Sequence, residues 1–183
     1  MKKQVCVFLA DGFEEIEGLT VVDLLRRAEI EVTTVSITGS LMIHGAHGID
    51  VMADKLFDEM KYDNQDMLVL PGGMPGTLNL GSHEGLKVEL EKAFAEGKHL
   101  AAICAAPSVL GKYGFLKGKK ATSYPGFESQ MPGAEYVYDS VVVDGNVITS
   151  RGMGTAIPFS LALIEQLVDA ETAQKLGKGI IYG

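Results

Sequence analysis

Short, uninterrupted apolar runs alternate with stretches of helical periodicity along this chain, and that alternation limits most strongly what it can fold into. A strand with one wet face alternates apolar and polar residues, whereas a strand buried on both faces reads as a continuous apolar run. Val5-Cys6-Val7-Phe8-Leu9-Ala10 is such a run and predicts a first strand. Residues 15–28 read as a helix, its turns marked by Ile16, Leu19, Val22 or Asp23, and Arg26, with an apolar stripe on Ile16, Leu19/Thr20 and Leu24. Residues 31–37 are β-branched and alternating, a second strand; residues 39–54 hold glycines and histidines and read as a loop with a short hairpin around 49–52. Asp66-Met67-Leu68-Val69-Leu70 is a further central strand, stopped by Pro71-Gly72-Gly73. Ser82 is expected to cap a helix running to about Glu96, with Gly97 as its stop. His99 to Ile103 is the next strand, Cys104 stands at its end, and residues 105–113 read as the following helix. Asp144-Gly145 between two β-branched runs is a hairpin signal, and helices over 155–167 and 170–176 complete the chain. Strands alternating with helices imply βαβ units, a mainly parallel sheet and helices on both faces.

With 183 residues, the whole chain 1–183 is expected to form one domain that can bury a full core without disulfides or metal. Its formal net charge of −8 argues against nucleic-acid or anionic-membrane partners, which need a positive surface. Two cysteines, Cys6 and Cys104, make no disulfide framework. The apolar run near the N-terminus is too short for a signal peptide or a membrane span, so a cytoplasmic protein is expected.

In open parallel sheets, sites form beyond the carboxyl ends of the strands. Three segments lie there: residues 11–17, 71–76 and 104–107. Cys104 sits among alanines between a strand and a helix, as a tight nucleophile elbow requires. A following helix N-terminus would lower its pKa and favour the thiolate. The competing reading is a buried structural cysteine, since Cys is among the most buried residue types. In Asp11-Gly12-Phe13-Glu14-Glu15-Ile16-Glu17, Glu14 and Glu17 share a helical face and Glu15 points elsewhere. A buried carboxyl at Glu17 with a raised pKa can hydrogen-bond the sulfur. Helix-dipole compensation suffices to explain Glu14 and Glu15. Gly72-Gly73 frees backbone N–H groups that, with that of Ala105, can form an oxyanion hole. His83 and His99 read as structural or surface residues. His44 and His47 lie three apart in the glycine-rich loop without further ligands at recognisable spacing, so no metal is expected.

Taken together, Gly12-Phe13-Glu14-Glu15-Ile16-Glu17, Asp23-Leu24-Leu25-Arg26-Arg27-Ala28, Leu70-Pro71-Gly72-Gly73, Ala101-Ala102-Ile103-Cys104-Ala105-Ala106-Pro107 and Thr149-Ser150-Arg151-Gly152-Met153-Gly154-Thr155 resemble the ThiJ/PfpI family of the class I glutamine amidotransferase-like superfamily, in its Parkinson-disease-associated deglycase branch. The resemblance runs almost end to end. It implies a flavodoxin-like three-layer α/β/α sandwich. It makes Cys104 the reactive, easily oxidised cysteine, Glu17 its protonated carboxyl partner, and Gly73 and Ala105 the backbone donors. Glu14, His47, Tyr124 and Arg151 would line the site. Homodimers are implied, with Ile16, Asp23 and Arg27 in the interface. The chain also departs from the pattern. Tyr124 stands where many relatives have a histidine before the proline, Ala105 where peptidase members have a histidine after the cysteine, Ala106 where a glycine is common, and His47 where some relatives have an arginine. A Cys–His peptidase is therefore not expected.

The implied activity is that of a glyoxalase or protein deglycase. Small carbonyl compounds or glycated protein side chains are its substrates, and no cofactor is needed. The alternative is a redox sensor or redox-regulated chaperone acting through oxidation of Cys104. A thiamine-biosynthetic role is disfavoured, since residues 72–76 lack the Gly-Lys-Ser/Thr of a phosphate-binding loop.

Overall fold

The computed structural model describes residues 2–183. Strand β1 (Gln4–Leu9) is apolar from Val5 onward because both of its faces are covered there. Val5, Val7 and Leu9 pack with Val21, Leu25, Phe159 and Leu163 in one core, whereas Cys6, Phe8 and Ala10 pack with Leu80, Leu86, Leu90 and Leu110 in another. One six-residue strand thus contributes to two hydrophobic layers, which only a sheet sandwiched between helices allows.

The chain continues through α1 (Glu15–Arg27), β2 (Glu31–Ser36), β3 (Met42–His44), β4 (Asp50–Met52), β5 (Lys55–Leu56), β6 (Met67–Leu70), α2 (Gly76–Ser82), α3 (Glu84–Ala95), β7 (His99–Ile103) and α4 (Pro107–Lys112). It ends with β8 (Lys120–Ala121), β9 (Glu135–Tyr136), β10 (Val141–Asp144), β11 (Val147–Ser150), α5 (Ala156–Leu167) and α6 (Ala170–Gly179). The main sheet has seven strands in the order β10-β11-β7-β6-β1-β2-β5. All neighbours are parallel except the hairpin β10–β11, which turns at Asp144-Gly145 as expected. The five inner strands follow the flavodoxin-like winding, so β1, β6 and β7 end side by side at the centre of the carboxyl edge. Helices α1, α5 and α6 cover one face, and α2, α3 and α4 the other.

Several local expectations change. The buried side of α1 is Glu15, Glu17, Gly18, Val21, Val22, Leu24 and Leu25, while Ile16 is half exposed and Leu19 partly so. The predicted stripe therefore holds at Leu24 but fails at Ile16 and Leu19, because polar Glu15 and Glu17 take the inward positions at the helix start. Ser82 does not cap α3. It ends α2, a helix absent from the sequence reading, and His83 caps α3 by accepting the Leu86 amide on Nδ1 at 2.9 Å. The hairpin expected around 49–52 pairs β4 with β3, Met42 opposite Met52 and His44 opposite Asp50. Helix α4 begins at Pro107, which leaves Ala105 and Ala106 in the turn after Cys104.

Candidate active site

The loops after β1, β6 and β7 interlock through glycines. The Glu14 amide donates to the Gly72 carbonyl at 2.9 Å, and the Gly76 amide to the Gly12 carbonyl at 3.1 Å. Gly72 lies between Cys104 and Glu17. A Cβ at that position would fall 2.6 Å from the Cys104 Cβ and 2.6 Å from Glu17 Oε2. Gly73 follows with φ +94°, and a Cβ there would sit 2.3 Å from the Glu14 nitrogen. The double glycine after β6 therefore serves two ends. The first residue lets the sulfur and the carboxyl approach, and the second makes the left-handed turn that L side chains resist.

Cys104 also has φ +65°, uncommon for a residue with a side chain. Its amide donates to the Ser150 carbonyl at 3.0 Å and its carbonyl accepts the Tyr124 amide at 2.8 Å. These two bonds, one to the end of β11 and one to the loop after β8, hold the elbow in a conformation costing about 1–2 kcal/mol. The turn takes the sulfur out of the β7 alternation and leaves the residue partly exposed. The amides of Ala105 and Gly73 both donate toward it.

Glu17 is buried, and its Oε2 accepts the Gly72 amide at 2.9 Å. Burial raises its pKa to about 7, against the pull of hydrogen bonds from Cys104 and Gly72 and with a push from the Glu14 charge. Burial also pushes the Cys104 thiol up to about 12, helped by the charge and hydrogen bond of Glu17, with the Ala105 and Gly73 amides acting in the other direction. The expectation that the helix dipole lowers this pKa is not met. Helix α4 is only six residues long and starts beyond the turn, so desolvation and a neighbouring carboxylate outweigh it. Burial is the larger cause, and the part that comes from Glu17 needs that carboxyl to be ionised. Once Glu17 is protonated that repulsion vanishes and its O–H becomes a donor to the sulfur. The two side chains therefore titrate as a coupled pair.

Glu14 is mostly buried at the start of α1, close enough to act on Glu17. Glu15, fully buried, turns toward the loop between β3 and β4: Oε1 accepts the His47 amide at 2.7 Å, and Oε2 lies 3.0 Å from His47 Nδ1. Burial alone would raise its pKa, but the backbone donors and the His47 ring together hold it below the usual carboxylate value. Tyr124 is half exposed, and its ring would lie 3.4 Å from a Cβ on Gly152, which in turn would lie 4.0 Å from Glu17 Oε1. Arg151 extends away over the Tyr138 ring at 5.6 Å. Ile16 is on the outer side of α1, as is the Asp23–Arg27 pair, joined at 2.7 Å.

Sequence reasoning missed the roles of Gly72, Ser150 and Gly152, whose neighbours come from distant segments. It also missed the convergence of Glu14 and Glu15 on His47. A groove of about 440 Å³ between α5 and α6, lined by Pro158, Leu161, Ala173, Gly177, Lys178 and Tyr182 among others, shares no residue with the site.

A family model described as the DJ-1/PfpI family matches residues 3–166. Protein DJ-1 homolog B of Arabidopsis thaliana is 38% identical over 97% of this chain, which spans 41% of that protein. A protein named a deglycase from Pyrococcus abyssi is 39% identical over 82% of the chain and 91% of its own length. Among solved structures, oxidised Toxoplasma gondii DJ-1 superposes with a TM-score of 0.95 at 37% identity, covering 99% of each chain.

Proposed function

The chain belongs to the DJ-1/PfpI family, and on that premise we propose that it is a DJ-1-type stress-response protein whose Cys104 acts on small α-oxoaldehydes or the adducts they form on protein side chains. The observation that carries this reading is the Cys104–Glu17 pair packed across Gly72, in which burial raises the carboxyl to about 7. An acid–base group works best when its pKa lies near the working pH. The deglycase name of the Pyrococcus abyssi relative points the same way.

The chemistry uses the groups present. Glu17 takes the thiol proton as the sulfur attacks the aldehyde carbon; the C–S bond forms and the carbonyl electron pair moves to oxygen. The Gly73 and Ala105 amides stabilise that oxyanion, and Glu17 returns the proton to give a hemithioacetal. Glu17 then moves the proton from the former aldehyde carbon to the adjacent carbonyl carbon through an enediol. The resulting 2-hydroxy thioester is released by water as a 2-hydroxy acid. Aldehyde oxidation and ketone reduction balance within one molecule, so the sequence needs no external oxidant. Tyr124, in place of a histidine, leaves Glu17 as the acid–base group. The decisive assay incubates the protein with methylglyoxal and follows lactate. Production no faster than in Cys104→Ala rejects the reading.

A second reading, sensing of oxidants through Cys104, is favoured by the oxidised state of the Toxoplasma gondii structure. The same amides and a protonated Glu17 would stabilise a sulfinate. Intact-mass measurement after mild peroxide tests it. A gain in oxygen that persists in Cys104→Ala, or no gain at all, removes it. For the assembly, we propose a homodimer across the outer side of α1, which would cover Ile16 and Leu19.

A further inference from the structure

Glu14, Glu15 and His47 bring three donor atoms within 4.8 Å of one another beside the Cys104 site. His47 Nδ1 is 3.0 Å from Glu15 Oε2 and 3.4 Å from Glu14 Oε2. A tetrahedral cation with bonds of ~2.0–2.1 Å needs donor atoms roughly 3.3 Å apart along each edge, so both distances already suit a shared ion. The Glu15 carboxylate is held in place. Glu15 is buried and pinned through Oε1 by the amides of His47 and Ile49, which leaves Oε2 facing the ring. Such outer bonds orient a ligand toward a metal.

The charge balance points to a cation as well. Among the described residues, the only basic partner of Glu14 and Glu15 is the one His47 ring, which they share. The Glu14 side chain is only 13% exposed, and its charge reaches Glu17 behind it. Glu15 is already held as a carboxylate by the loop amides and this ring, whereas Glu14 has among the described residues only the 68% exposed imidazole, at 3.4 Å.

We propose that Glu14, Glu15 and His47 bind a divalent transition cation of the zinc type at the rim of the Cys104 site. An imidazole donor favours such ions over calcium or magnesium, which take oxygen ligands. Three protein ligands leave a fourth position open to water or a substrate oxygen. His47 supplies the nitrogen at a place where some relatives have an arginine, so the site is expected only in chains with this substitution.

The test titrates the metal-free full-length protein with Zn²⁺ by calorimetry and with Co²⁺ by absorption spectroscopy. His47→Asn and Glu14→Gln alter partly exposed groups and leave Glu15 to hold the loop. The expected result is one Zn²⁺ per chain. Each variant should weaken binding by more than about 10-fold, since losing a ligand costs at least as much as losing an outer-shell partner. Cys104→Ala should bind normally, and the Co²⁺ adduct should lack a sulfur-to-cobalt charge-transfer band. Absence of saturable binding overturns the proposal and reduces the cluster to an ion pair. Binding that survives His47→Asn overturns it too, as does binding that disappears in Cys104→Ala, which would place the ion on the thiolate.

Discussion

Replacing Glu17 with Gln should make the protein's stability less dependent on pH, by an amount the site geometry sets. The carboxyl has an ordinary value of 4.5 and is raised by burial to about 7 in the folded chain. The folded state therefore holds this proton more tightly than the unfolded state. Below pH 4.5 both states are protonated and the group costs nothing. Between 4.5 and 7 the unfolded chain ionises first, and above 7 the full cost is present. Each pH unit is worth 1.36 kcal/mol, so the accumulated penalty is about 3 kcal/mol. Glutamine keeps the shape, still accepts the Gly72 amide and never ionises. Urea unfolding of both proteins from pH 4.5 to 8 measures the difference. Glu17→Gln should gain on the wild type progressively as the pH rises, most steeply between 5 and 7, and reach about 3 kcal/mol at the upper end. Parallel curves would show that Glu17 titrates as an exposed carboxylate does. A gap that widens toward low pH would mean an ionised, stabilising carboxylate. Either result would undo the acid–base role derived for this residue.

Gly72→Ala should cost about 1–3 kcal/mol in unfolding free energy, because the added methyl has no room between Cys104 and Glu17; it should also slow thiol alkylation, and a variant that melts and reacts like the wild type would contradict the packing described. Cys104→Gly should be more stable than Cys104→Ala by about 1 kcal/mol, since glycine relieves the positive φ of the elbow; denaturant midpoints decide it, and equal midpoints would argue against strain. Glu15→Ala should destabilise by about 1–3 kcal/mol, because the His47 and Ile49 amides lose a buried acceptor; hydrogen exchange should quicken in residues 45–49, and unchanged protection there would show that Glu15 does not hold the loop.

Much of the frame can be read from sequence because it rests on local physics. A run such as Val5 to Ala10 can only be satisfied between two apolar layers, and βαβ connections then arrange the sheet. Cys104 follows from small residues at a strand end, and Gly73 from the need for a left-handed turn. What fails is also local. The apolar stripe of α1 is misread at Ile16 and Leu19 because the site draws Glu15 and Glu17 inward against their polarity. The cap of α3 is misplaced by one residue because His83 is seldom read as a capping side chain. Helix α2 is short and rich in glycine, with little periodicity to find.

The sequence by itself determined the layered α/β architecture and the cysteine at the elbow, since both are written in neighbouring residues and their periodicity, and it set Glu17 against that cysteine only through the family resemblance. Only the tertiary structure decided that Gly72 is the spacer between sulfur and carboxyl, and that burial raises the Glu17 carboxyl to about 7. It alone brought Glu14 and Glu15 to His47, 32 residues beyond Glu15. Desolvation and convergence of charge depend on which distant segments close over a site, and no local pattern encodes them.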